Sequence, residues 1–317
     1  MNIVENWDCI KPMTLPSDLV GLPTMVAEPW LQVNEAMPIA CMEGSIFDPD
    51  GNLYYCFRKD GYSTIYKITS DKQISEYYHR ENSVMIGIAV HKDGRFFVAD
   101  ATGKVLELDK DGKFVRDLLA GHPEVRLAPN DLAFDMKGNL YFTDFSGTYQ
   151  EPVGGVYRFD AEGDYTALHL IIGGLAAANG IVITPAGDEI WVTETARNCV
   201  LKARLDKDGF LKKRGGLSTL YYNQGVGLPD SSKMDEAGNL YQTINFGGRI
   251  VVLDRYGMAV ANIVVPDREK ADCLFSPNLA IKPGTDEGYL LCSGMRGAWV
   301  FRFQTIAKSQ KLFADLR

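Results

Sequence analysis

One turn motif recurs along the chain and constrains the fold more than any other feature. Its clearest form reads Asp-x-x-Gly-Asn-Leu-Tyr, and its six copies start 43, 44, 49, 51 and 47 residues apart. Each copy places a glycine where a tight turn needs a positive φ, between apolar, β-branched and aromatic runs. This pattern predicts a sixfold repeat of β-hairpins. The copies start at Asp48, His91, Asp135, Thr184, Asp235 and Lys282.

A second pattern follows each hairpin. Apolar and polar residues alternate over runs such as 105–109 and 250–254, as they do in a half-buried strand. Each repeat therefore has room for about four antiparallel strands, the content of one propeller blade. The sequence predicts an all-β fold, a six-bladed β-propeller of four-stranded antiparallel blades. Long helical patterns are missing, which argues against a TIM barrel or a doubly wound sheet.

No linker or change of composition divides the 317 residues, so we expect residues 1–317 to form a single six-bladed propeller domain. Residues 1–37 precede the first repeat. This N-terminal segment is expected either to cap the channel or to lend a closing strand.

Composition limits the choice of partners. The net charge of −8 argues against nucleic acid or an anionic membrane, because both need clustered Lys and Arg. No run approaches the roughly 20 apolar residues of a membrane span, and no secretory signal is recognisable. Six cysteines lie far apart without a Cys-x-x-Cys pair, the pattern of free thiols. We therefore expect a cytoplasmic protein that acts on a small molecule.

One position shared by the six repeats carries the candidate chemistry. The first strand of each blade lines the central channel of a propeller, so equivalent positions on these strands form a ring. Counting five residues back from the start of each motif gives this ring. Its members are Glu43, Ile86, Asn130, Asn179, Asp230 and Pro277.

Four of these six side chains bear oxygen: two carboxylates and two amides. Such groups are costly to bury unless a partner satisfies them. A hard divalent cation would do so, and a set of oxygen ligands alone favours Ca²⁺, with Mg²⁺, Mn²⁺, Zn²⁺ or Fe²⁺ as alternatives. The four histidines lie off the ring, which argues against a tri-histidine zinc site.

Each ring residue also has a simpler interpretation. Asn179 followed by glycine could be a plain turn, Asn130 could cap a loop, and Glu43 could pair with a nearby Arg or Lys. The shared register in four blades favours a common site over these separate explanations. The aspartates of the turn motif are interpreted as turn residues, and the tyrosines that follow them, Tyr54, Tyr141 and Tyr241, as core residues.

These residues carry a resemblance to a known family. Glu43-Gly44, Asn130-Asp131, Asn179-Gly180 and Pro229-Asp230-Ser231 on six such repeats resemble the SMP-30/gluconolactonase family, also called the regucalcin family. The sequences of residues 141–145, 154–157 and 191–195 are similar to those of its bacterial drug-responsive lactonase branch. The resemblance covers roughly residues 38–305.

The resemblance implies a lactonase with a divalent cation, often calcium, at one end of the channel. Glu43, Asn179 and Asp230 match the family's usual metal ligands. Asn130 matches a position that contacts metal in some members and substrate in others, so it is a candidate for both roles. Ser231 matches a peripheral position and is a candidate substrate contact. Asp230 also matches the family's general acid/base.

The chemistry of lactone opening agrees with these roles. Water must lose a proton, and the leaving alkoxide must gain one. A carboxylate at the edge of a metal site can do both in turn, and the Pro-Asp-Ser turn fixes the direction of Asp230. No Gly-x-Ser-x-Gly elbow is present, so covalent catalysis is disfavoured.

Two features concern the substrate. Ala128 stands where the sugar-lactone members carry an arginine, with Arg126 two residues further back, which argues against an aldonolactone preference. Candidate rim loops carry apolar and aromatic residues, which favours a substrate less polar than a sugar. These rim residues are Phe145, Tyr149, Leu228, Phe246 and Met295.

Two other functions stay open at this point. The same ring could serve another metal-dependent hydrolase, a hydratase or an isomerase. The protein could also be a non-catalytic binding propeller, which predicts an exposed apolar or charged patch on the rim and no need for a polar ring.

Overall fold

The six turn motifs connect the first and second strands of six β-sheets in the computed structural model. It describes residues 19–34, 41–59, 61–266, 268–270, 272–295 and 297–317. Five sheets contain four strands, and the sixth has an added fifth strand. The first strands of successive sheets pack against one another in a closed ring around a central channel. The predicted six-bladed propeller is confirmed.

The strands are numbered in chain order. They are β1 (Thr24–Val26), β2 (Glu28–Asn34), β3 (Cys41–Phe47), β4 (Leu53–Lys59), β5 (Tyr62–Ile68), β6 (Ile74–Glu81), β7 (Met85–Val90), β8 (Phe96–Asp100), β9 (Lys104–Leu108), β10 (Phe114–Asp117), β11 (Pro129–Phe134), β12 (Leu140–Asp144), β13 (Gly154–Phe159), β14 (Leu168–Leu175), β15 (Ala178–Ile183), β16 (Glu189–Glu194), β17 (Cys199–Arg204), β18 (Leu217–Tyr222), β19 (Leu228–Met234), β20 (Leu240–Asn245), β21 (Arg249–Leu253), β22 (Ala259–Val264), β23 (Phe275–Ile281), β24 (Glu287–Gly294) and β25 (Gly297–Gln304). Short 3₁₀ helices occupy Leu118–Gly121, Arg268–Lys270 and Phe313–Leu316.

Blades 1 to 5 each contain four consecutive strands, beginning at β3, β7, β11, β15 and β19. Blade 6 contains β23, β24 and β25, with β2 as its outermost strand. The N-terminal segment therefore supplies the strand that completes the last blade. Its strand β1 also pairs in parallel with β22 at the outer edge of blade 5. Residues 1–18 and 35–40 lie outside the described residues.

Apolar side chains pack between blades rather than around one central core. The described residues form six clusters, one at each interface between neighbouring blades. At the closure, Met42 and Phe47 of blade 1 pack with Leu291 and Val300 of blade 6. The strands lining the channel are buried throughout where both faces are covered, as in β15. This explains their continuous apolar runs, which differ from the alternation of the third strands.

The motif aspartates fix their own turns, as predicted. Asp135 Oδ1 accepts hydrogen bonds from the main-chain nitrogens of Lys137 and Asn139, both at 2.9 Å. Asn139 Nδ2 donates to Asp135 Oδ2 at 2.8 Å. Tyr141, which follows, is buried in the core. The turns lie at the channel end opposite the ring, because each first strand runs from the ring to the motif.

The C-terminal segment, residues 305–317, crosses this motif end of the channel. A cavity of about 80 Å³ lies between it and the channel-lining strands, whose apolar residues form most of the wall. The segment contacts all six blades, through Ser309 to Thr285, Gln310 to Met234 and Ile183, Phe313 to Phe134 and His91, and Arg317 to Asp50.

Among the described residues, no helix has the length and apolar character needed to cross a bilayer. Cys199 and Cys292 are buried free thiols, and Cys56 and Cys273 are buried as well.

Candidate functional site at the channel end

A one-residue β-bulge interrupts each of the six channel-lining strands at the end opposite the turn motif. A bulge redirects a side chain and ends regular pairing, and bulges are frequent beside active sites. The predicted ring positions all fall on or at the edge of these bulges. The bulges lie between Glu43 and Ile46, Met85 and Gly87, Pro129 and Leu132, Ala178 and Ile181, Pro229 and Ser232, and Phe275 and Asn278.

Glycine next to the ring lets neighbouring strands approach closely. A Cβ on Gly180 would lie 2.7 Å from the carbonyl oxygen of Asp230, and one on Gly87 would lie 2.2 Å from that of Asn130. Gly180 lies inside β15. The simpler interpretation of Asn179-Gly180 as a plain turn is therefore wrong, because the glycine is needed for contact between blades 4 and 5.

Asp230 lies in β19 with only 8% of its surface exposed. Asn245 Nδ2, on the next strand of the same blade, donates to Asp230 Oδ2 at 2.9 Å. Burial raises the pKa of Asp230 to about 7, and the charge of Asp131 adds to this, whereas hydrogen bonds from Asn179 and Asn245 oppose it. Asn245 was missed by the sequence analysis, which compared only first strands.

Glu43 lies in β3 of blade 1 and is partly buried. Burial raises its pKa well above the usual range, and the negative charge of Asp230 is the next largest cause. The charge of Arg58 opposes this shift. The structure thus brings together the two carboxyls that the sequence placed on the ring, although blade 6 separates their strands.

Asn179 supplies an amide oxygen beside these carboxyls. Its side chain is 3% exposed, and its Nδ2 donates to Thr195 Oγ1 at 3.2 Å. The amide also hydrogen-bonds to the Asp230 carboxyl. Its Oδ1 is buried without a hydrogen-bond partner, which is costly for an amide oxygen and calls for a specific explanation.

Asn130 lies on β11, partly buried and adjacent to the strand of Asn179. The residue after it, Asp131, is buried, and its Oδ2 lies 3.5 Å from Lys233 Nζ of blade 5. This pair connects blade 3 to blade 5: the Asp131 carboxylate acts on Asp230, and the Lys233 ammonium offsets its charge. The sequence analysis missed it because it considered one position per strand.

Threonines on the second strands of blades 3, 4 and 5 tie the ring together. Each hydroxyl donates to the main-chain carbonyl of the ring residue in the next blade. Because these carbonyls belong to the ring residues themselves, the hydroxyls fix the spacing of neighbouring strands. The pairs are Thr143 to Asn179 at 2.6 Å, Thr193 to Asp230 at 2.6 Å and Thr243 to Pro277 at 2.7 Å.

The donor set fits a hard divalent cation. No three His, Cys, Asp or Glu side chains come together as a metal cluster in the described part of the chain. A cation here would instead combine the carboxylates of Glu43 and Asp230 with the unsatisfied oxygen of Asn179 and with Asn130. Its positive charge would offset the burial that raises the pKa of both carboxyls.

Comparison with known proteins identifies the family. The model of the SMP-30/gluconolactonase/LRE-like region matches residues 41–280. The chain belongs to this family. Its curated relatives include the lactonase drp35 of Staphylococcus saprophyticus subsp. saprophyticus, which is 31% identical over 308 residues, covering 94% of this chain and 93% of the relative.

Solved structures share the fold of this SMP-30/gluconolactonase member. Regucalcin of Agrobacterium tumefaciens, described as a calcium-binding protein, has a TM-score of 0.72 and 16% identity, covering 92% of this chain and 99% of its own. A gluconolactonase of Xanthomonas campestris has a TM-score of 0.66 and 19% identity, covering 84% and 87%. At these identities the likeness shows the fold alone.

In this family member the rim around the ring is apolar. The loop after β12 and the turn after β20 rise at the ring end, because their strands end beside Asn130 and Asp230. The side chains of these loops are exposed. Arg126 is also exposed to solvent, and the main-chain nitrogen of Ala128 donates to Asp144 Oδ1 at 2.7 Å. The exposed apolar residues predicted for the rim are Phe145, Tyr149, Leu228, Phe246 and Met295.

Ser231 is less accessible than its predicted substrate role requires. It is 1% exposed, and its Oγ accepts a hydrogen bond from Asn278 Nδ2 at 2.6 Å. Its direct contact with substrate stays a prediction.

Proposed function

We propose that this protein is a divalent-cation-dependent lactonase that hydrolyses a cyclic ester at the ring end of the channel. The observation that carries the proposal is the convergence of two buried carboxyls, Glu43 and Asp230, with the unsatisfied amide oxygen of Asn179. Family membership and a lactonase relative that matches most of the chain support the reaction class.

Glu43, Asn179 and Asp230 would hold the cation, with Asn130 as a further ligand or a substrate contact. Ca²⁺ is the preferred ion because all of these donors are oxygen. A bound cation supplies Lewis acidity, which polarises a lactone carbonyl and lowers the pKa of a nearby water.

Asp230 is the general acid/base of this proposal. It takes the proton from the attacking water and returns it to the alkoxide that leaves as the ring opens. Asn245 holds Asp230 Oδ2, so the carboxyl keeps one orientation through both transfers. Thr193 fixes the main chain of the same residue, and the water-poor surroundings strengthen every interaction at the carboxyl.

The substrate is a lactone with an apolar or aromatic substituent. The exposed aromatic side chains of Phe145 and Phe246 lie at the channel end that carries the polar ring residues. Phe246 packs edge-to-face on Phe275, with centroids 5.5 Å apart. Such a rim would bind an apolar group while the ester reaches the polar ring.

A pH-indicator assay over a lactone panel tests the proposal. The protein is stripped with a chelator, then supplied with Ca²⁺, Mn²⁺, Mg²⁺, Zn²⁺ or Fe²⁺ in separate reactions. The panel contains an aryl-fused lactone, an alkyl-substituted lactone and an aldonolactone. Asp230→Asn is compared with Asp208→Asn, an exposed carboxylate in a turn at the motif end.

We expect hydrolysis that requires added cation, prefers the apolar lactones and falls roughly 10²–10⁴-fold in Asp230→Asn, the usual contribution of a general acid/base. Asp208→Asn should match the unmutated protein. Stoichiometric cation binding with no opening of any lactone would show that the reaction class is wrong. If no cation binds and no lactone opens, a binding propeller becomes the better interpretation.

A further inference from the structure

Blade 6 contributes to the site through the residue that follows its ring position. Its ring position is Pro277, which has no polar side chain. The next residue, Asn278, is fully buried at 0% exposure in β23. Its Oδ1 accepts hydrogen bonds from Ser45 N at 2.9 Å and Ser45 Oγ at 2.7 Å, and its Nδ2 donates to Ser231 Oγ at 2.6 Å.

These partners belong to the two strands that carry the carboxylates. Ser45 lies two residues after Glu43 in blade 1, and Ser231 follows Asp230 in blade 5. One amide therefore connects blade 1 to blade 5 across blade 6. The Asn278 side chain also hydrogen-bonds to the Glu43 carboxyl itself.

Noncovalent contacts connect the strands of Glu43 and Asp230 at this place. Elsewhere in the ring, threonine hydroxyls link a strand only to its immediate neighbour. At blade 6 the sheet combines the N-terminal β2 with the C-terminal β23 to β25, so it joins chain segments remote in sequence. An amide suits the position because it both accepts and donates, which a leucine or a carboxylate cannot do with the same partners.

We propose that Asn278 is a positioning residue that sets the separation of Glu43 and Asp230 and thereby the cation affinity of the site. This inference rests on the proposed cation site. It adds a residue that does not touch the cation and that acts through the strands of both carboxylates. Partners of this kind typically change metal affinity by roughly 10–100-fold when removed.

The test measures cation binding directly, by calorimetric titration of the chelated protein with Ca²⁺. Asn278→Leu removes all of the amide contacts, and Ser45→Ala removes only one donor to Oδ1 and disturbs packing little. Asn262→Leu is the matched control. Asn262 is equally buried, in β22 of blade 5, and its Nδ2 donates to Leu19 O at 3.2 Å, remote from the ring.

We expect Asn278→Leu to weaken Ca²⁺ binding by about tenfold or more and Ser45→Ala to weaken it less. The double variant should bind no worse than Asn278→Leu alone, because both changes break one connection. Asn262→Leu should lower the melting temperature and leave the Ca²⁺ affinity unchanged. At saturating Ca²⁺, kcat of Asn278→Leu for lactone hydrolysis should lie closer to the value of the unmutated protein than its Ca²⁺ affinity does.

Unchanged Ca²⁺ affinity in both Asn278→Leu and Ser45→Ala would overturn the inference and leave the proposed function standing. An equal loss of affinity in Asn262→Leu would also overturn it, because the effect would then reflect general stability. If the unmutated protein binds no Ca²⁺, Mn²⁺ or Mg²⁺, the cation site fails and the inference fails with it.

Discussion

Thr193 Oγ1 donates a 2.6 Å hydrogen bond to the main-chain carbonyl of Asp230, across the interface between blades 4 and 5. The same oxygen accepts from Gly180 N at 2.7 Å. One buried hydroxyl thus links the peptide after Asn179 to the peptide of the proposed acid/base. The positions of these two ring residues are coupled through Thr193.

Thr193→Val should damage the site although the two side chains have nearly the same shape. The valine leaves Gly180 N and the Asp230 carbonyl without their buried partner, which costs about 1–3 kcal/mol of folding free energy. We also expect weaker Ca²⁺ binding and slower lactone hydrolysis, with Thr193→Ser restoring both. Urea unfolding and calorimetric titration measure these effects. Thr219→Val, on the exposed outer strand of blade 4, is the control; a similar loss in that variant would contradict the prediction.

Gly180→Ala should separate blades 4 and 5 at the ring. The added Cβ would lie 2.7 Å from Ser232 N and 2.8 Å from Ser231 Cα, and main chain cannot move aside as a flexible side chain can. We expect a loss of about 1–3 kcal/mol in unfolding free energy and a lower Ca²⁺ affinity. Gly121→Ala is the matched control, because nothing lies within 4 Å of its added Cβ. Equal stability and affinity in the two variants would argue against close contact between the strands.

The sequence predicted the fold because the repeat is local. Each hairpin encodes its own turn, and Asp135 satisfies the same main-chain groups that the motif implies. The ring positions also followed from the repeat, since the bulges of β11, β15 and β19 lie at the same distance from their motifs and the other three lie within one residue of it. The side chains that contact the ring residues could not be predicted from the repeat. Asn278 meets Ser45 and Ser231 through strands remote in sequence. Asn245 contacts Asp230 within one blade, but no other blade carries an amide at the position of Asn245 or of Asn278.

The repeat likewise did not predict the role of the C-terminal segment. Phe313 packs at the motif end against the rings of His91 and Phe134, with centroids 4.9 and 5.5 Å away, and is 4% exposed. Phe313→Ala should cost about 3 kcal/mol of unfolding free energy, the lower end for loss of a buried aromatic, because a terminal segment can adjust. Activity of the folded enzyme should persist, since the ring lies at the other end of the channel. Leu316→Ala, 36% exposed in the same segment, should change stability much less. A loss of hydrolysis without a loss of stability in Phe313→Ala would contradict this separation of the two ends.

His91 should make the protein less stable as the pH falls. Its ring is 8% exposed beneath Phe313, and burial lowers its pKa below the usual value of 6.5, although the nearby Asp93 opposes the shift and Arg95 and Lys92 add to it. Above pH 6.5 the histidine is neutral in both the folded and the unfolded chain, so its full contribution is present. As the pH falls through 6.5, the unfolded chain takes up a proton that the folded protein resists, and stability is lost until the lower folded pKa is reached.

His91→Gln removes this titration. Asp93 loses its contact with the imidazole, but it is ionised at both pH values used below. Urea unfolding at pH 7.5 and pH 5.5 should therefore show a larger loss on acidification in the unmutated protein than in the variant, whatever their absolute stabilities. His79→Gln is the control, because His79 lies in the outer strand of blade 1, partly exposed beside Glu81. Parallel losses in the unmutated protein and His91→Gln would show that the C-terminal segment is docked on a histidine that accepts a proton as readily as one in water.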